Sequence, residues 1–521
     1  MAKKEKNKKP NKWLYIIFFT IPIIFCLLLT TQFDNDLWYL LSEGRYIVQN
    51  GIYNIDPLSM HEGLSVVVQN WASASLLWIL YSCLGQFGIL SFILITNFFI
   101  CLLIYKICSL ISEKNYLLSL IIMFCADVTL LSHFVVSRPQ MISFIILLGV
   151  IYVLELYIKT EKSKYLIWLP ILSFLEVNLH ASLWWMIFLF TLPYVIDSFK
   201  SSLLKTQGFK KKPLFIAIAI ALLVGLLNPY GYKAITFIFS SYGDQYMHLY
   251  INELLPFTFN KQLSKHMFML MLAIGLIYAF FRDGKIRVRY LCLFSGTLLL
   301  GFMSVKGFSH FILVSLFPLA YFFKDLFPKD FSEITDMFPK LIKYSAMSLG
   351  ILCICSTGAL FTYRLTTNMM ENKAKDAMDL IAQVFDPQKV NVYSSFNDGG
   401  YVSFRGYKPY IDPRAELYLK KNNKKADIFK EFYDLQHDKY DKQTFLNKYA
   451  FDILLVSKHD KLYNEMETLE GYFIVYDSYE YGYRIYLNNN LYSEEKRQEI
   501  IDAYNADLEK AKQEQQKNTG K

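Results

Sequence analysis

Long apolar runs recur through the first two-thirds of this chain, with short, mostly basic loops between them. A bilayer core about 30 Å thick needs about 20 apolar residues for each helical span. Apolar residues make up 54% of the chain, more than a soluble globular protein usually carries. The sequence therefore predicts a polytopic α-helical membrane protein with about eleven spans. The predicted spans lie near residues 13–31, 87–108, 115–133, 139–158, 165–180, 182–199, 213–228, 265–281, 287–303, 308–323 and 341–363.

The basic residues of the loops predict the orientation of the chain. About 24 Lys and Arg residues lie in one alternating set of loops, and about 6 lie in the other set. By the positive-inside rule, the basic N-terminus, 1–12, is cytoplasmic, whereas the first outer loop, 32–86, and the region from 364 onward face outward. The first apolar run is read as a retained span, because no small-residue cleavage site follows it. We expect a multi-pass protein of the plasma membrane.

This orientation requires that the first outer loop does not itself cross the membrane. We predict two interfacial helices in it. The first has apolar residues at helical spacing from Leu37 to Val48 and stops at Asn50-Gly51. The second runs from about Ala72 to Cys83, and Trp71 anchors it at the membrane interface.

The region from 364 to 521 is polar, in contrast to the apolar region 13–363 that carries the spans. Its pattern predicts a small extracytoplasmic α/β domain that ends in a charged helix. The predicted elements are a helix at 371–385, strands at 390–395 and 408–412, a helix at 424–449, strands at 452–457, 472–477 and 483–487, and the final helix at 492–512.

Composition and motifs exclude several classes of protein. The eight cysteines fall in the spans and the second interfacial helix, so neither a disulfide framework nor a zinc site is expected. The net charge of +9 comes mostly from the predicted cytoplasmic loops, which favours anionic lipid over nucleic acid as a partner. Residues 397–400, Asn-Asp-Gly-Gly, read as a turn in which glycine permits unusual backbone angles, and they do not form a nucleotide-binding loop. The sequence therefore gives no sign that the protein binds a nucleotide.

Several local motifs follow one another in a distinctive order. They are DNDLWYLLSEGRYIVQNGIYNIDPLS from residue 34, SRPQ (137–140), EVNLH (176–180), NPYG (228–231), and NDGGY followed by IDPRAELY. With these motifs the chain resembles, over nearly its whole length, membrane glycosyltransferases of the GT-C class, and in particular a broad bacterial group assigned to that class. The resemblance implies transfer of a hexosyl or pentosyl group, with inversion, from a polyprenyl-phosphate carrier to an acceptor of the cell envelope. It also implies that an Asp of the first outer loop acts as the base.

Asp34 and Asp36 are the candidate catalytic residues. A carboxylate within hydrogen-bond reach can accept the proton of the attacking hydroxyl, which is a weak nucleophile. Asp36 is the first choice as the base and Asp34 the second. The alternative role is capping, since an Asp just before Leu37 can satisfy free backbone N–H groups at a helix start. The pair is also a candidate site for magnesium or manganese, although two carboxylates are a thin ligand set and the sequence leaves the need for a metal open.

The phosphate of the departing lipid carries negative charge, which cations or oriented donors must stabilise. Arg138, His180 and Lys306, each predicted at the outer end of a span, are the candidates for this role. Each also has a structural alternative: a salt bridge from Arg138 to Asp127, a hydrogen-bonded structural role for His180, and a simple surface charge for Lys306.

The remaining candidates are residues that would bind the substrates. Near His180, these are Glu176 and Asn178; in the first outer loop, they are His61 and Trp71. Asp412 and Arg414 alternate along a predicted strand and would share one face of it, with an internal charge network as the alternative.

Two other functions remain open from the sequence. A polymerase or ligase of surface polysaccharide would also use lipid-linked donors, but it would more often depend on a large loop between late spans. A transporter or flippase of lipid-linked glycans would place its polar residues near the bilayer midplane and in repeated halves.

Overall fold

The computed structural model describes residues 12–30, 32–131, 133–201, 205–241, 243–259, 262–281, 286–326, 338–366, 370–478 and 482–504. The contacts of the chain divide it into two compact units. The helical unit comprises Met1–Gln32, Val67–Phe239 and Ile251–Met370. The sheet unit comprises Phe33–Val66, Ser240–Tyr250 and Glu371–Lys521. Residues 33–66 of the predicted first outer loop therefore pack with the C-terminal region. The sequence had grouped them with the spans in the range 13–363 and had placed only 364–521 in the second domain.

The helices are numbered along the chain. They are α1 (Lys12–Leu29), α2 (Asp36–Asn50), α3 (Trp71–Leu84), α4 (Gln86–Ile111), α5 (Tyr116–Leu131), α6 (Gln140–Thr160), α7 (Trp168–Leu179), α8 (Trp184–Asp197), α9 (Lys211–Val224), α10 (Tyr232–Ser241), α11 (Gln245–Tyr250), α12 (Gln262–Phe280), α13 (Val288–Met303), α14 (Phe308–Ser315), α15 (Leu319–Phe322), α16 (Pro339–Thr366), α17 (Lys375–Val384), α18 (Gly399–Phe404), α19 (Lys420–Asn423), α20 (Ile428–Gln436) and α21 (Lys442–Tyr449).

Each predicted span corresponds to a helix of the helical unit, except that the run at 308–323 forms two, α14 and α15. Pro318 lies between these two helices and lacks the N–H that a continuous helix needs there. Among the described residues, four helices are long and apolar enough to cross a membrane: Lys12–Leu29, Gln86–Ile111, Gln140–Thr160 and Pro339–Leu360. The other apolar helices are shorter, so the total of about eleven crossings remains a prediction.

A buried ion cluster joins three helices of the helical unit. Arg289, at the start of α13, donates to Glu155 of α6 at 3.0 Å and to Asp197, the last residue of α8, at 2.6 Å. Tyr194 also donates to the Glu155 carboxylate, at 3.1 Å. Because a buried charge is costly unless it is paired and hydrogen-bonded, this cluster fixes the three helix ends against one another.

The sheet unit is built on five described strands: β1 (Asn391–Ser394), β2 (Lys408–Pro409), β3 (Ile453–Ser457), β4 (Tyr472–Ser478) and β5 (Tyr483–Asn488). Their order is β2-β1-β3-β5-β4. The pairs β1–β2 and β1–β3 are parallel, and β3–β5 and β4–β5 are antiparallel. The α/β prediction is confirmed for these residues. The predicted helix at 424–449 is two helices, because Asp438 has a positive φ of 58° and Asp441 caps a new helix by accepting from the Thr444 N–H.

Helix α2 lies against α18 within the sheet unit. The Trp38 ring contacts the rings of Tyr401 and Phe404 at centroid distances of 4.9 and 5.0 Å. A Cβ at Gly400 would lie only 3.2 Å from the Tyr39 backbone nitrogen, and one at Gly399 would lie 1.9 Å from the Ile411 carbonyl oxygen. The prediction of unusual backbone angles at these glycines was wrong, since both lie in a regular helix. They are needed because α18 approaches its neighbours too closely for a side chain.

Candidate active site: a carboxylate group and a histidine group

Asp34 and Asp36 lie at the start of α2 and have different contacts. Asp36 is the first residue of the helix, and its backbone N–H donates to the Asp34 carboxylate at 2.9 Å. Asp34 therefore satisfies one of the free N–H groups of the helix start, as the capping alternative requires. The Asp36 side chain is half-buried and lies in the first turn, where the helix dipole favours a negative charge.

Arg414, which lies in the sheet unit with Asp34 and Asp36, is the centre of a buried ion cluster. Its Nε and Nη2 donate to the two oxygens of Asp412, at 3.0 and 2.6 Å, and its Nη1 donates to Asp56 at 2.5 Å. The Glu43 carboxyl of α2 is the third acid, at 3.8 Å from Nη1. These four residues are called the Arg414 cluster below. Asp412 and Arg414 thus contact each other directly, as in an internal charge network, and the chain leaves the strand after Pro409.

The acids of the Arg414 cluster differ in their affinity for protons. Burial raises the pKa of Glu43 to about 8, and the positive charge of Arg414, 3.8 Å away, opposes this only in part. Burial acts in the same direction on Asp56, but the adjacent Arg414 guanidinium and the Ser59 N–H hold the pKa of Asp56 below its ordinary value. The guanidinium therefore lowers the pKa of Asp56, to which it donates at 2.5 Å, more effectively than the pKa of Glu43, which lies 3.8 Å away.

His61 packs in an aromatic cluster of the sheet unit. Its Nε2 lies 2.8 Å from the Tyr410 carbonyl oxygen, so this nitrogen carries the proton and donates. The ring also contacts Tyr410, Tyr418 and Tyr449 at centroid distances of 5.2, 6.2 and 6.0 Å. Burial lowers the pKa of His61, which keeps the imidazole neutral. These contacts give His61 a structural role in joining the first outer loop to residues 410–449.

The second group of polar residues lies in the helical unit. The Nδ1 of His180 is 2.8 Å from the hydroxyl of Ser143 on α6. Glu176, one turn earlier on α7, is fully buried, and neither of its carboxylate oxygens has a hydrogen-bond partner among the described residues. Ser143 is the polar side chain that acts on it most directly. Lys306 acts electrostatically on His180 and on His310, which packs edge-on against Phe144 and Phe190.

Arg138 pairs with Glu253 in the helical unit, at 2.9 Å. The predicted alternative partner, Asp127, instead accepts from Asn97 at 2.9 Å and from the Cys101 thiol at 3.2 Å. The loop that carries Glu253 also reaches Lys306, whose backbone N–H donates to the Glu253 carbonyl at 3.1 Å. Glu253 thus contacts two of the three predicted phosphate ligands, Arg138 through its side chain and Lys306 through its backbone.

Asn178 and Trp71 contact each other, with the Trp71 indole donating to the Asn178 side-chain oxygen at 3.3 Å. The Asn178 amide nitrogen donates to the carbonyls of Phe174 and Leu227, at 2.9 and 3.1 Å. Both polar ends of Asn178 are engaged, so it holds the ends of α3, α7 and α9 together beside His180.

Glu43, Asp56 and Ser143 were not among the site residues that the sequence predicted. A signal for Glu43 was present, because it shares the apolar face of α2 with Leu40 and Ile47 at i, i+3 and i+7 spacing. For metals, no group of three His, Cys, Asp or Glu residues that could hold an ion occurs within the described ranges. The pair Asp34 and Asp36 is a poor fit for magnesium, since Asp34 already accepts from the helix start.

No protein-family model matches the sequence, and no curated protein matches it. Solved structures do match. The archaeal oligosaccharyltransferase AglB from Archaeoglobus fulgidus, in complex with an inhibitory peptide and a dolichol-phosphate, aligns with a TM-score of 0.61 at 11% identity, over 92% of this chain and 75% of that one. ArnT from Cupriavidus metallidurans bound to undecaprenyl phosphate aligns with a TM-score of 0.52 at 10% identity, over 91% of this chain and 97% of that one.

The fold is therefore that of a GT-C membrane glycosyltransferase, as the sequence motifs predicted. The first of these structures contains a dolichol-phosphate, and the second contains undecaprenyl phosphate. At these identities the likeness establishes the architecture of this chain, whereas its activity must be argued from its own residues.

Proposed function

We propose that this protein transfers a sugar from a polyprenyl-phosphate-linked donor to an acceptor of the cell envelope, on the outer side of the plasma membrane. The observation that carries the proposal is the GT-C fold, which extends over about nine-tenths of the chain. The carboxylates at the start of α2 supply the base that such a reaction needs.

In the proposed reaction, Asp36 accepts the proton of an acceptor hydroxyl as the hydroxyl oxygen attacks the anomeric carbon of the sugar. The bond from that carbon to the phosphate oxygen breaks, and the lipid phosphate leaves with the electron pair. Direct displacement of this kind inverts the configuration of a hexosyl or pentosyl group. Asp34 supports Asp36 by fixing the helix start.

Arg138, His180 and Lys306 are assigned the role of stabilising the negative charge on the departing lipid phosphate. Arg138 is held in place by Glu253, and His180 by Ser143, so both donors are oriented before the substrate binds. Preorganised donors of this kind cost little reorganisation during the reaction. Glu176 is assigned to sugar hydroxyls, because its oxygens have no donor within the described part of the chain.

The first prediction concerns the base. Purified protein supplied with a polyprenyl-phosphate sugar should transfer the sugar or slowly hydrolyse it, and Asp36→Asn should lower kcat by about 100-fold or more because the amide cannot accept the proton. Release of the lipid phosphate measures turnover. Asp376→Asn is the matched control, since Asp376 is also an acid in the first turn of a sheet-unit helix, and it should keep full activity.

The alternatives give different results in the same assay. Full turnover by both Asp34→Asn and Asp36→Asn would show that neither carboxylate is the base. Movement of the lipid-linked sugar from one leaflet of a vesicle membrane to the other, without cleavage of the bond between sugar and phosphate, would indicate a flippase. Growth of a polymer on the lipid carrier would indicate a polysaccharide polymerase. Unchanged turnover after chelation would show that magnesium or manganese is not needed.

A further inference from the structure

We infer that Arg414 is a positioning residue: through Glu43, it holds the helix that carries Asp36 in its working position and does not itself bind substrate. This inference rests on the proposed function for the role of Asp36. The contacts that support it lie entirely within the sheet unit.

The Arg414 cluster joins three separate parts of the sequence. Asp412 and Arg414 follow β2, Asp56 lies in the loop after α2, and Glu43 lies on α2 itself. Arg414 and Asp56 are 358 residues apart along the chain, yet their side chains are in direct contact. The cluster is therefore a cross-link between the first outer loop and the C-terminal region.

All four residues of this cross-link are buried. Arg414 is 6% exposed, Asp412 0%, Asp56 5% and Glu43 3%. Three donor nitrogens of the guanidinium are already committed to Asp412 and Asp56. A buried guanidinium whose donors are occupied by protein acids is poorly suited to bind a substrate phosphate or sugar. A lysine could not replace it, because one ammonium cannot reproduce the planar two-sided contact.

The position of Glu43 on α2 connects the cluster to Asp36. The two residues are seven positions apart, and positions i and i+7 lie on the same face of a helix. Near Asp36 the helix is held by Trp38 against α18 and by the close approach of Gly400. Helix α18 thus packs against the beginning of α2, and the Arg414 cluster contacts the middle of α2 at Glu43.

The test compares Arg414→Lys with Arg484→Lys in the purified full-length protein. Arg484 is a suitable control, because it pairs with Asp477 in the same unit, at 2.9 Å, and the described contacts of this pair lie within β4, β5 and Tyr463. We expect Arg414→Lys to lower kcat by about 10- to 100-fold with the donor KM nearly unchanged, since a small displacement of a base slows the chemical step. Hydrogen exchange should increase in residues 36–50 but not in β3 or β5.

Several outcomes would contradict the inference. A raised donor KM with an unchanged kcat would show that Arg414 binds substrate. Unchanged kcat and unchanged exchange in residues 36–50 would show that it positions nothing. If Arg414→Lys does not fold, Glu43→Ala provides the test, because it detaches α2 and leaves the Arg414 contacts to Asp412 and Asp56 in place. Full turnover by Glu43→Ala would then overturn the inference, whereas full turnover by Asp36→Asn would overturn the assignment of Asp36 as the base, and absence of sugar transfer by the unaltered protein would overturn the proposed function.

Discussion

Asp34 and Asp36 are two residues apart, and both lie at the start of α2. The carboxylate of Asp34 accepts from the N–H of Asp36, so it belongs to the start of the helix. The Asp36 side chain begins the helix and is half-buried. The choice of Asp36 as the base remains a prediction, which the Asp36→Asn assay tests.

At the same scale, Glu43 predicts a pH dependence of stability. Burial raises its pKa in the folded protein to about 8, above the ordinary value of 4.5. Between these two values the folded state binds more protons than the unfolded state, so the stability that Glu43 contributes is fully present below about pH 4.5 and is lost as pH rises through 8. Glu43→Gln should flatten this loss.

The measurement is the unfolding midpoint of the purified protein and of Glu43→Gln at several pH values from 5 to about 9. The difference between the two proteins isolates Glu43 from other acids with raised pKa values, such as Asp398 and Asp460. We expect the variant to gain in relative stability as pH rises. Parallel curves for the two proteins would contradict the assignment.

Individual charges were only partly predictable from the sequence. The acids at 34 and 36 stood out because they follow an apolar run, and His180 stood out beside Glu176. The partners of Arg414 did not, because no local spacing records which distant carboxylate a guanidinium will meet. The same reason explains why the sequence offered the nearby Asp127 as an alternative partner of Arg138, whereas the structure pairs Arg138 with Glu253.

At the scale of elements, the helices were the most predictable features, because about 20 apolar residues in a row leave few other structures available in a membrane. The helix starting at Asp36 was also expected from its spacing, and it ends at Asn50 as predicted. Breaks inside apolar or amphipathic runs were missed. Each depends on a local event, such as Pro318 between α14 and α15 or the positive φ of Asp438.

The contact between α2 and α18 yields a prediction for Gly400. A methyl group at this position would lie 3.2 Å from the Tyr39 nitrogen and 3.4 Å from the Asn35 carbonyl oxygen, both in the first turn of α2. Gly400→Ala should therefore shift the start of α2 and lower kcat by about tenfold or more, because it moves the base. Steady-state kinetics measures the effect.

Gly296→Ala is the matched control, since nothing lies within 4 Å of the added methyl group and the residue is in a regular helix. It should leave kcat unchanged. If Gly400→Ala were as active as this control, close packing of α18 against α2 would not matter for turnover.

At the scale of the whole molecule, the predicted orientation can be tested by labelling. In a chain whose eight native cysteines are replaced, a cysteine in place of Lys389 should react with an impermeant thiol reagent added outside the cell. The Lys389 side chain is 80% exposed in the sheet unit, so access does not limit the reaction. A cysteine at Lys210, which is 71% exposed in a predicted cytoplasmic loop, should react only after the membrane is opened. The reverse pattern would invert the orientation.

The GT-C fold and the α/β character of the C-terminal region followed from the sequence, but the membership of residues 33–66 in the sheet unit did not. From the sequence alone, residues 33–66 were grouped with the membrane spans that precede and follow them in the chain. Long-range contacts, such as those of Trp38, His61 and Asp56, assign them to the sheet unit.

This membership has a consequence for how the protein is made. Residues 33–66 leave the ribosome about 350 residues before their partners, a delay of about 20 to 70 s at ordinary rates of synthesis. During that interval, the acids at 43 and 56 have no Arg414 to pair with, and the aromatic face of α2 has no α18 to cover it. A nascent chain that stops before residue 399 therefore lacks the partners that complete the packing of residues 33–66.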